Sequence, residues 1–369
     1  GCGPAGPYGN ELLAHARAAP ERKPGFDARP TVGRVCDGCR DGALDRAEPF
    51  MSEDPRKEFE TLWAKLGETL AGHATTRALR GDAGREGELA QTLASDRALP
   101  GIDFVAAEGL RSEAATVGIA GSEDGDFELR ELLGEGGMGK VFLATQHSLG
   151  RAVAVKVPRG GDDTHAALLR EARVAGSLEH PNIVPVHQLG VDAGSRPVLV
   201  MKRVEGASWK DLLHDAAHPS WSTLPVHHDD ALVTHLEVLM QVCNALQFAH
   251  AQGVLHRDVK PENVMIGEFG EVYLIGWGVA LQRAACDAEG PRNPVGTPVY
   301  MAPEMTSGRD ADVDERADVY LLGATLHRAL TGRVRHAGAS LREVLEAAFY
   351  SEPYAYGPEV SRELAALCN

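Results

Sequence analysis

Five apolar residues, Phe59, Leu62, Trp63, Leu66 and Leu70, recur at the spacing of one helical face, and Asp54-Pro55 just before them supplies an N-cap and a first-turn proline. The pattern predicts an amphipathic helix. Its apolar stripe is expected to pack on a second helix around 86–93, or on the domain that follows, in preference to an outside partner. From 100 to 126 small and acidic residues dominate without a period, which reads as a linker. At Phe127 the texture turns to strand-like alternation. The run Ala152-Val153-Ala154-Val155-Lys156-Val157 predicts a strand, residues 165–178 a helix carrying Glu171, and Pro197-Val198-Leu199-Val200-Met201 a buried strand. Further on, Leu232, Leu236, Leu239, Cys243, Leu246 and Ala249 repeat with helical period, which assigns Cys243 to the core. Val272-Tyr273-Leu274-Ile275 is a short β run, an apolar helix is expected over 319–330 behind Asp318, and a last helix over 361–368.

Composition narrows this picture. The 369 residues have room for one large or two ordinary domains, and 43% hydrophobic residues suffice for a sizeable core. A net charge of −16 disfavours a non-specific nucleic-acid binder, because phosphate backbones repel such a surface. No run of about 18 apolar residues occurs, so no membrane span is expected within the chain, and anchoring beyond it stays open. Of six cysteines only Cys36 and Cys39 lie close together, which fits a reducing cytoplasm better than a disulfide scaffold. That pair has no second CxxC or His pair to complete a zinc site and is read as incidental. Eight glycines and six prolines among the first 50 residues predict a disordered lead. His214, His218, His227, His228 and His235 share no helical or strand face, so the segment 209–235 is expected to be a solvated loop insert and not a metal site.

Three stretches carry candidate chemistry. In Leu133-Gly134-Glu135-Gly136-Gly137-Met138-Gly139-Lys140-Val141 the glycines allow a hairpin backbone to approach phosphates, although a plain glycine-rich turn would look the same. Lys156 is a charge in an apolar strand: either an ammonium aimed at phosphates or an edge lysine reaching water. The densest stretch is His256-Arg257-Asp258-Val259-Lys260-Pro261-Glu262-Asn263, which places a carboxylate, a cation and an amide within eight residues and leads to Gly276-Trp277-Gly278.

With Gly296-Thr297-Pro298-Val299-Tyr300-Met301-Ala302-Pro303-Glu304 added, and with the motifs in order, the chain from 127 onward resembles a bacterial eukaryotic-type (Hanks-type) serine/threonine protein kinase. The resemblance implies a two-lobed α+β fold, with a small antiparallel β lobe over 127–203 and a larger helical lobe over 204–369, incomplete at its C-terminal end. A lead (1–50), a helical segment (51–99) and the linker (100–126) come before it. ATP, Mg2+ and a protein substrate presenting Ser or Thr are implied as ligands, and no oligomeric state is specified. Asp258 would orient the substrate hydroxyl, Lys260 neutralise the moving phosphoryl group, and Lys156, aimed by Glu171, hold the α and β phosphates. Gly134, Gly136, Gly139, Val141, Ala154, Met201 as gatekeeper, Met265 and the hinge 202–204 would line the nucleotide pocket, and Asn263 would bind the metal.

Two departures follow from the same resemblance. Gly276 stands where the family has its magnesium-binding Asp, so turnover is expected to be impaired, with a pseudokinase acting as a nucleotide-binding scaffold or switch as the alternative. Residues 279–295 contain no Ser, Thr or Tyr, so Asp287 or Glu289 is expected to serve as a permanent partner for Arg257. Glu304, which in the family pairs with an Arg of a later helix, is expected to lack that partner.

Overall fold

The structure, a computed structural model, describes residues 54–70, 126–136, 139–192, 194–215, 217–222, 231–283 and 294–369. The predicted lead, Cys36 and Cys39, the helix expected around 86–93 and residues 100–125 of the linker lie outside them.

Helix α1 (Pro55–Leu70) starts behind Asp54, whose Oδ1 accepts the Lys57 N–H at 3.2 Å, so the predicted N-cap is present. The small lobe is one antiparallel sheet in the order β1-β2-β3-β5-β4, built from β1 (Phe127–Glu135), β2 (Gly139–Gln146), β3 (Arg151–Pro158), β4 (Val186–Val191) and β5 (Pro197–Lys202). Successive side chains of a strand face opposite ways, and β3 uses both sides. Val153 and Val155 enter a core with Phe127, Ala144, Val198 and Val200. Ala154 and Lys156 face the other way, opposite Met201 and Leu199 of β5. Helix α2 (Asp162–Ser177) covers that second face by packing Leu168 and Ala172 on Leu199.

The larger lobe is mainly helical: α3 (Trp209–His214), α4 (Ala231–Ala251), α5 (Glu315–Thr331), α6 (Leu341–Tyr350) and α7 (Arg362–Cys368). A three-stranded sheet joins β6 (Gly206–Ser208), β8 (Val264–Gly267) and β9 (Val272–Leu274), and a two-stranded one joins β7 (Val254–Leu255) to β10 (Leu281–Gln282). These pieces share one core with α1. Phe59 and Leu66 are buried there, with the Phe59 ring 5.6 Å from that of Phe349. Arg342 of α6 pairs with Glu60 and lays its guanidinium over the rings of Phe59 and Trp63. The first predicted helix therefore packs on the domain that follows, and burying Phe59 alone contributes about 1.5–3 kcal/mol.

Three expectations need correction. In α4 the buried residues are Thr234, His235, Val238, Val242, Ala245, Leu246 and Ala249, whereas Cys243 is exposed. The helix is apolar on most sides, so the stripe read from the sequence holds only in part: its Leu246 and Ala249 are buried, while Leu232, Leu236 and Leu239 are half-buried. The segment 209–235 is likewise more than a solvated insert. Trp209 is fully buried at the start of α3, and its indole N–H donates to Nδ1 of buried His235 at 3.0 Å. Burial lowers the His235 pKa, which keeps the ring a neutral acceptor. Finally, α5 begins at Glu315, so Asp318 lies inside its first turn. Among the described residues no helix is long and apolar enough to cross a membrane, and no three His, Cys, Asp or Glu side chains group as a metal site.

Candidate active site

The loop from His256 to Asn263 is held from below by a single carboxylate. Asp318 is fully buried, its Oδ2 accepts the His256 N–H and its Oδ1 the Arg257 N–H, each at 2.8 Å, and His250 Nε2 lies 2.7 Å from Oδ2. Arg257 adopts φ +63°, a left-handed conformation uncommon for a side-chain-bearing residue. Charge-assisted bonds to two consecutive amides hold it there. The Asp258 N–H donates to His256 Nδ1 at 3.2 Å, which assigns the ring proton to Nε2, the atom 3.0 Å from the Ile275 carbonyl. Burial depresses the pKa of His256, so it works as a neutral bridge between this loop and the turn that begins at Gly276.

On this base four side chains converge. Thr297 donates its hydroxyl proton to Asp258 Oδ1 at 2.5 Å, while Lys260 Nζ donates to Thr297 Oγ1 at 2.6 Å and lies 3.0 Å from Asp258 Oδ2. Asn263 Nδ2 donates both to the Asp258 carbonyl at 2.7 Å and to its Oδ2 at 2.8 Å. The carboxylate is thus fixed in direction by a hydroxyl, an ammonium and an amide. In the sequence Thr297 stands only within the run Gly296 to Glu304, with nothing of its own to mark it as a partner of Asp258. A local signal was available in the preceding glycine. Gly296 has φ +119°, and a Cβ there would lie 2.6 Å from the Arg257 carbonyl, so only glycine lets this segment run close enough to deliver Thr297.

Lys156 and Glu171 meet across the covered face of the sheet. Nζ donates to both carboxylate oxygens, at 2.7 and 2.6 Å, with side chains 14% and 7% exposed, which excludes the reading of Lys156 as an edge lysine reaching water. Glu171 arrives there because Leu168 and Ala172, its neighbours on α2, dock that helix on Leu199, the register partner of Lys156. Gly134, Gly136 and Gly139, the described glycines around the β1-β2 turn, separate in kind. Gly139 has a packing reason, since a Cβ would stand 2.4 Å from the Val157 carbonyl, whereas a Cβ on Gly134 or Gly136 would meet nothing within 4 Å among the described residues. Val141 lies opposite Lys156 in the sheet and Ala154 opposite Met201, while Met265 sits on β8 in the other lobe. In the hinge, Lys202 donates to the Tyr273 hydroxyl at 2.6 Å and lies over its ring, and Arg203 pairs with Glu205.

Gly276 is left-handed, at φ 83° and ψ 41°, and a Cβ built on it would meet Asn263 Cγ, Oδ1 and Nδ2 at 2.8, 2.8 and 2.9 Å. With Nδ2 committed to Asp258, Asn263 has Oδ1 left as a ligand oxygen. Mg2+ requires near-octahedral oxygen coordination and usually takes one or two protein carboxylates together with substrate phosphates. One amide oxygen beside a glycine does not make such a protein-held site. The glycines and the oriented Lys156, by contrast, fit a nucleotide's phosphates.

Arg257 sends Nε to the Val279 carbonyl at 2.8 Å and Nη1 to Asp310 Oδ1 at 2.6 Å, whereas Asp287 and Glu289 lie outside the described residues. Burial raises the pKa of Glu304, whose side chain has no ion-pair partner among the described residues.

Residues 127–355 match the protein kinase domain family. Similar curated proteins include the serine/threonine-protein kinase PknD of Chlamydia muridarum, 36% identical over 231 residues, which is 56% of this chain and 24% of that protein. Serine/threonine-protein kinase PknB of Mycobacterium leprae is 37% identical over 224 residues, 58% of this chain and 34% of that protein. The PknB of Mycobacterium tuberculosis is 37% identical over 225 residues, again 58% and 34%. The chain covers between 24% and 34% of the length of these relatives.

Proposed function

Because the chain belongs to the protein kinase family, we propose that it binds ATP between its lobes and transfers the γ-phosphoryl group to Ser or Thr hydroxyls of a protein substrate. The observation that carries this reading is the Asp258 carboxylate held by Thr297, Lys260 and Asn263. A carboxylate fixed in direction can orient a substrate hydroxyl and take its proton as the oxygen attacks phosphorus, while the β–γ bridging bond breaks and ADP leaves. Lys260 offsets the negative charge spread over the moving phosphoryl oxygens. Lys156, aimed by Glu171, grips the α and β phosphates. Gly134 and Gly136 leave the turn open to phosphate, and Val141, Ala154, Met201 and Met265 supply the apolar walls for adenine. Mg2+ belongs to the Mg-ATP substrate, with Asn263 Oδ1 as its side-chain contact.

Gly276 supports a second reading. With no carboxylate at that position, nucleotide binding is better provided for than turnover, as in a pseudokinase that uses its nucleotide as a switch. Both readings require binding. Titrating the full chain with Mg-ATP and following phosphate transfer to a Ser/Thr peptide separates them, with Asp258→Asn as the control. The kinase reading expects transfer that falls about 10²–10⁴-fold in Asp258→Asn at unchanged ATP affinity. Binding without any Asp258-dependent transfer favours the second reading, and absence of binding overturns both.

A further inference from the structure

One guanidinium joins two distant points of the chain beside Thr297. Arg257 reaches Val279 with Nε and Asp310 with Nη1, at 2.8 and 2.6 Å, and the two charged side chains are only 6% and 15% exposed. Asp310 opens a tight turn, Asp310–Asp312. That turn is braced by Asp312 Oδ2, which accepts from Arg309 Nε at 2.6 Å and from Ser307 Oγ at 3.0 Å. Between Val279 and Asp310 lie Gly296, pressed against the Arg257 carbonyl, and Thr297 on Asp258. On its far side the same stretch is held by neutral contacts: the His336 N–H donates to the Val299 carbonyl at 3.0 Å, and His336 Nε2 lies 3.1 Å from the Met301 carbonyl.

We propose that Asp310 is a positioning residue: a resident carboxylate that, through Arg257, keeps the stretch 294–302 seated with Thr297 on Asp258 and needs no phosphorylation to do so. Two further observations agree. Residues 279–295 offer no hydroxyl that could carry a phosphate. Thr297, the first one after them, is 1% exposed and already bonded to Asp258 and Lys260. An aspartate fixed by its own turn supplies permanently the counter-charge that a phosphate would supply on demand. The consequence for rate rests on the phosphotransfer reading above, but the seating itself does not.

The test therefore has two readouts on the full chain: hydrogen exchange of the amides of 294–302, and kcat and KM for phosphate transfer to a Ser/Thr peptide. In the isosteric variant Asp310→Asn, exchange over 294–302 should rise at least about tenfold, and kcat should fall about 10²-fold, the cost of a misplaced reacting group, with the KM for ATP unchanged. Asp310→Glu should recover most of both losses, which a general loss of fold would not. Phosphatase treatment of the parent should move neither readout. Unchanged exchange in Asp310→Asn, or a parent whose protection over 294–302 is lost with its phosphates, overturns the proposal. A parent that transfers no phosphate defeats the phosphotransfer reading alone, and exchange still decides the role of Asp310.

Discussion

Two residue pairs flank the cleft, and they are built differently. Lys156 and Glu171 come from a strand and a helix that would pack together without them, through Leu168, Ala172 and Leu199, and their ion pair rests on that scaffold. Asn263 and Gly276 come from a loop and a turn joined by the Ile275 N–H to the Asn263 carbonyl, and here a left-handed glycine leaves the amide with no carboxylate beside it. On the reading proposed above, the difference teaches that gripping a nucleotide and holding its metal would depend on separate side chains of this fold. The polar contacts of the two pairs are separate, although the helix that carries Glu171 also packs on the turn 277–279 that follows Gly276.

The largest expected way to break this contrast is on the Lys156 side. Glu171→Gln removes the charge that aims the ammonium, and hydrogen bonds to charged groups contribute about 1.5–3 kcal/mol. ATP affinity by titration should fall at least about tenfold. An unchanged affinity would mean that the pair is structural and that the two halves of the cleft do not differ in this way. A smaller effect is expected from acid, acting on the helical lobe. Burial lowers the pKa of His327 to about 4 and of His336 to about 3. The unfolded chain takes up those protons near pH 6.5, so the stability held by the neutral rings is complete above that pH and is lost as pH falls toward the folded values. Between pH 7.5 and pH 5 each ring should cost about 2 kcal/mol, seen as a lower urea midpoint, and replacing His336 by Gln should flatten that dependence.

Much of this was legible in the sequence because the informative residues are local to their motifs. Lys156 stands out as a charge in an apolar strand, and Asp258, Lys260 and Asn263 share one short loop. The two-lobed α+β fold followed from the family resemblance that these motifs carry. What the sequence hid is of long range. Asp318 bonds to amides 61 and 62 residues away, Thr297 to a carboxylate 39 residues away, and Asp310 to a guanidinium 53 residues away, with no periodicity to announce any of them. The misplaced face of α4 has a different origin. A helix apolar on nearly all sides carries too little contrast for its buried stripe to be read, so the sequence points to Cys243 as core and to His235 as part of a solvated loop, whereas His235 and Thr234 are buried and Cys243 is exposed.

The central claim is that this chain retains the grip on the nucleotide while Gly276 limits turnover. Gly276→Asp tests it most directly. Aspartate tolerates the left-handed backbone better than most residues, but its Cβ would lie 2.8–2.9 Å from the Asn263 amide, so that side chain must move to admit it. Phosphate transfer from Mg-ATP to a Ser/Thr peptide should rise about 10²-fold or more over the parent, as expected when a preorganised charge is supplied at the moving phosphoryl group, with ATP affinity changed far less. A parent that already transfers phosphate as fast as Gly276→Asp would contradict the claim.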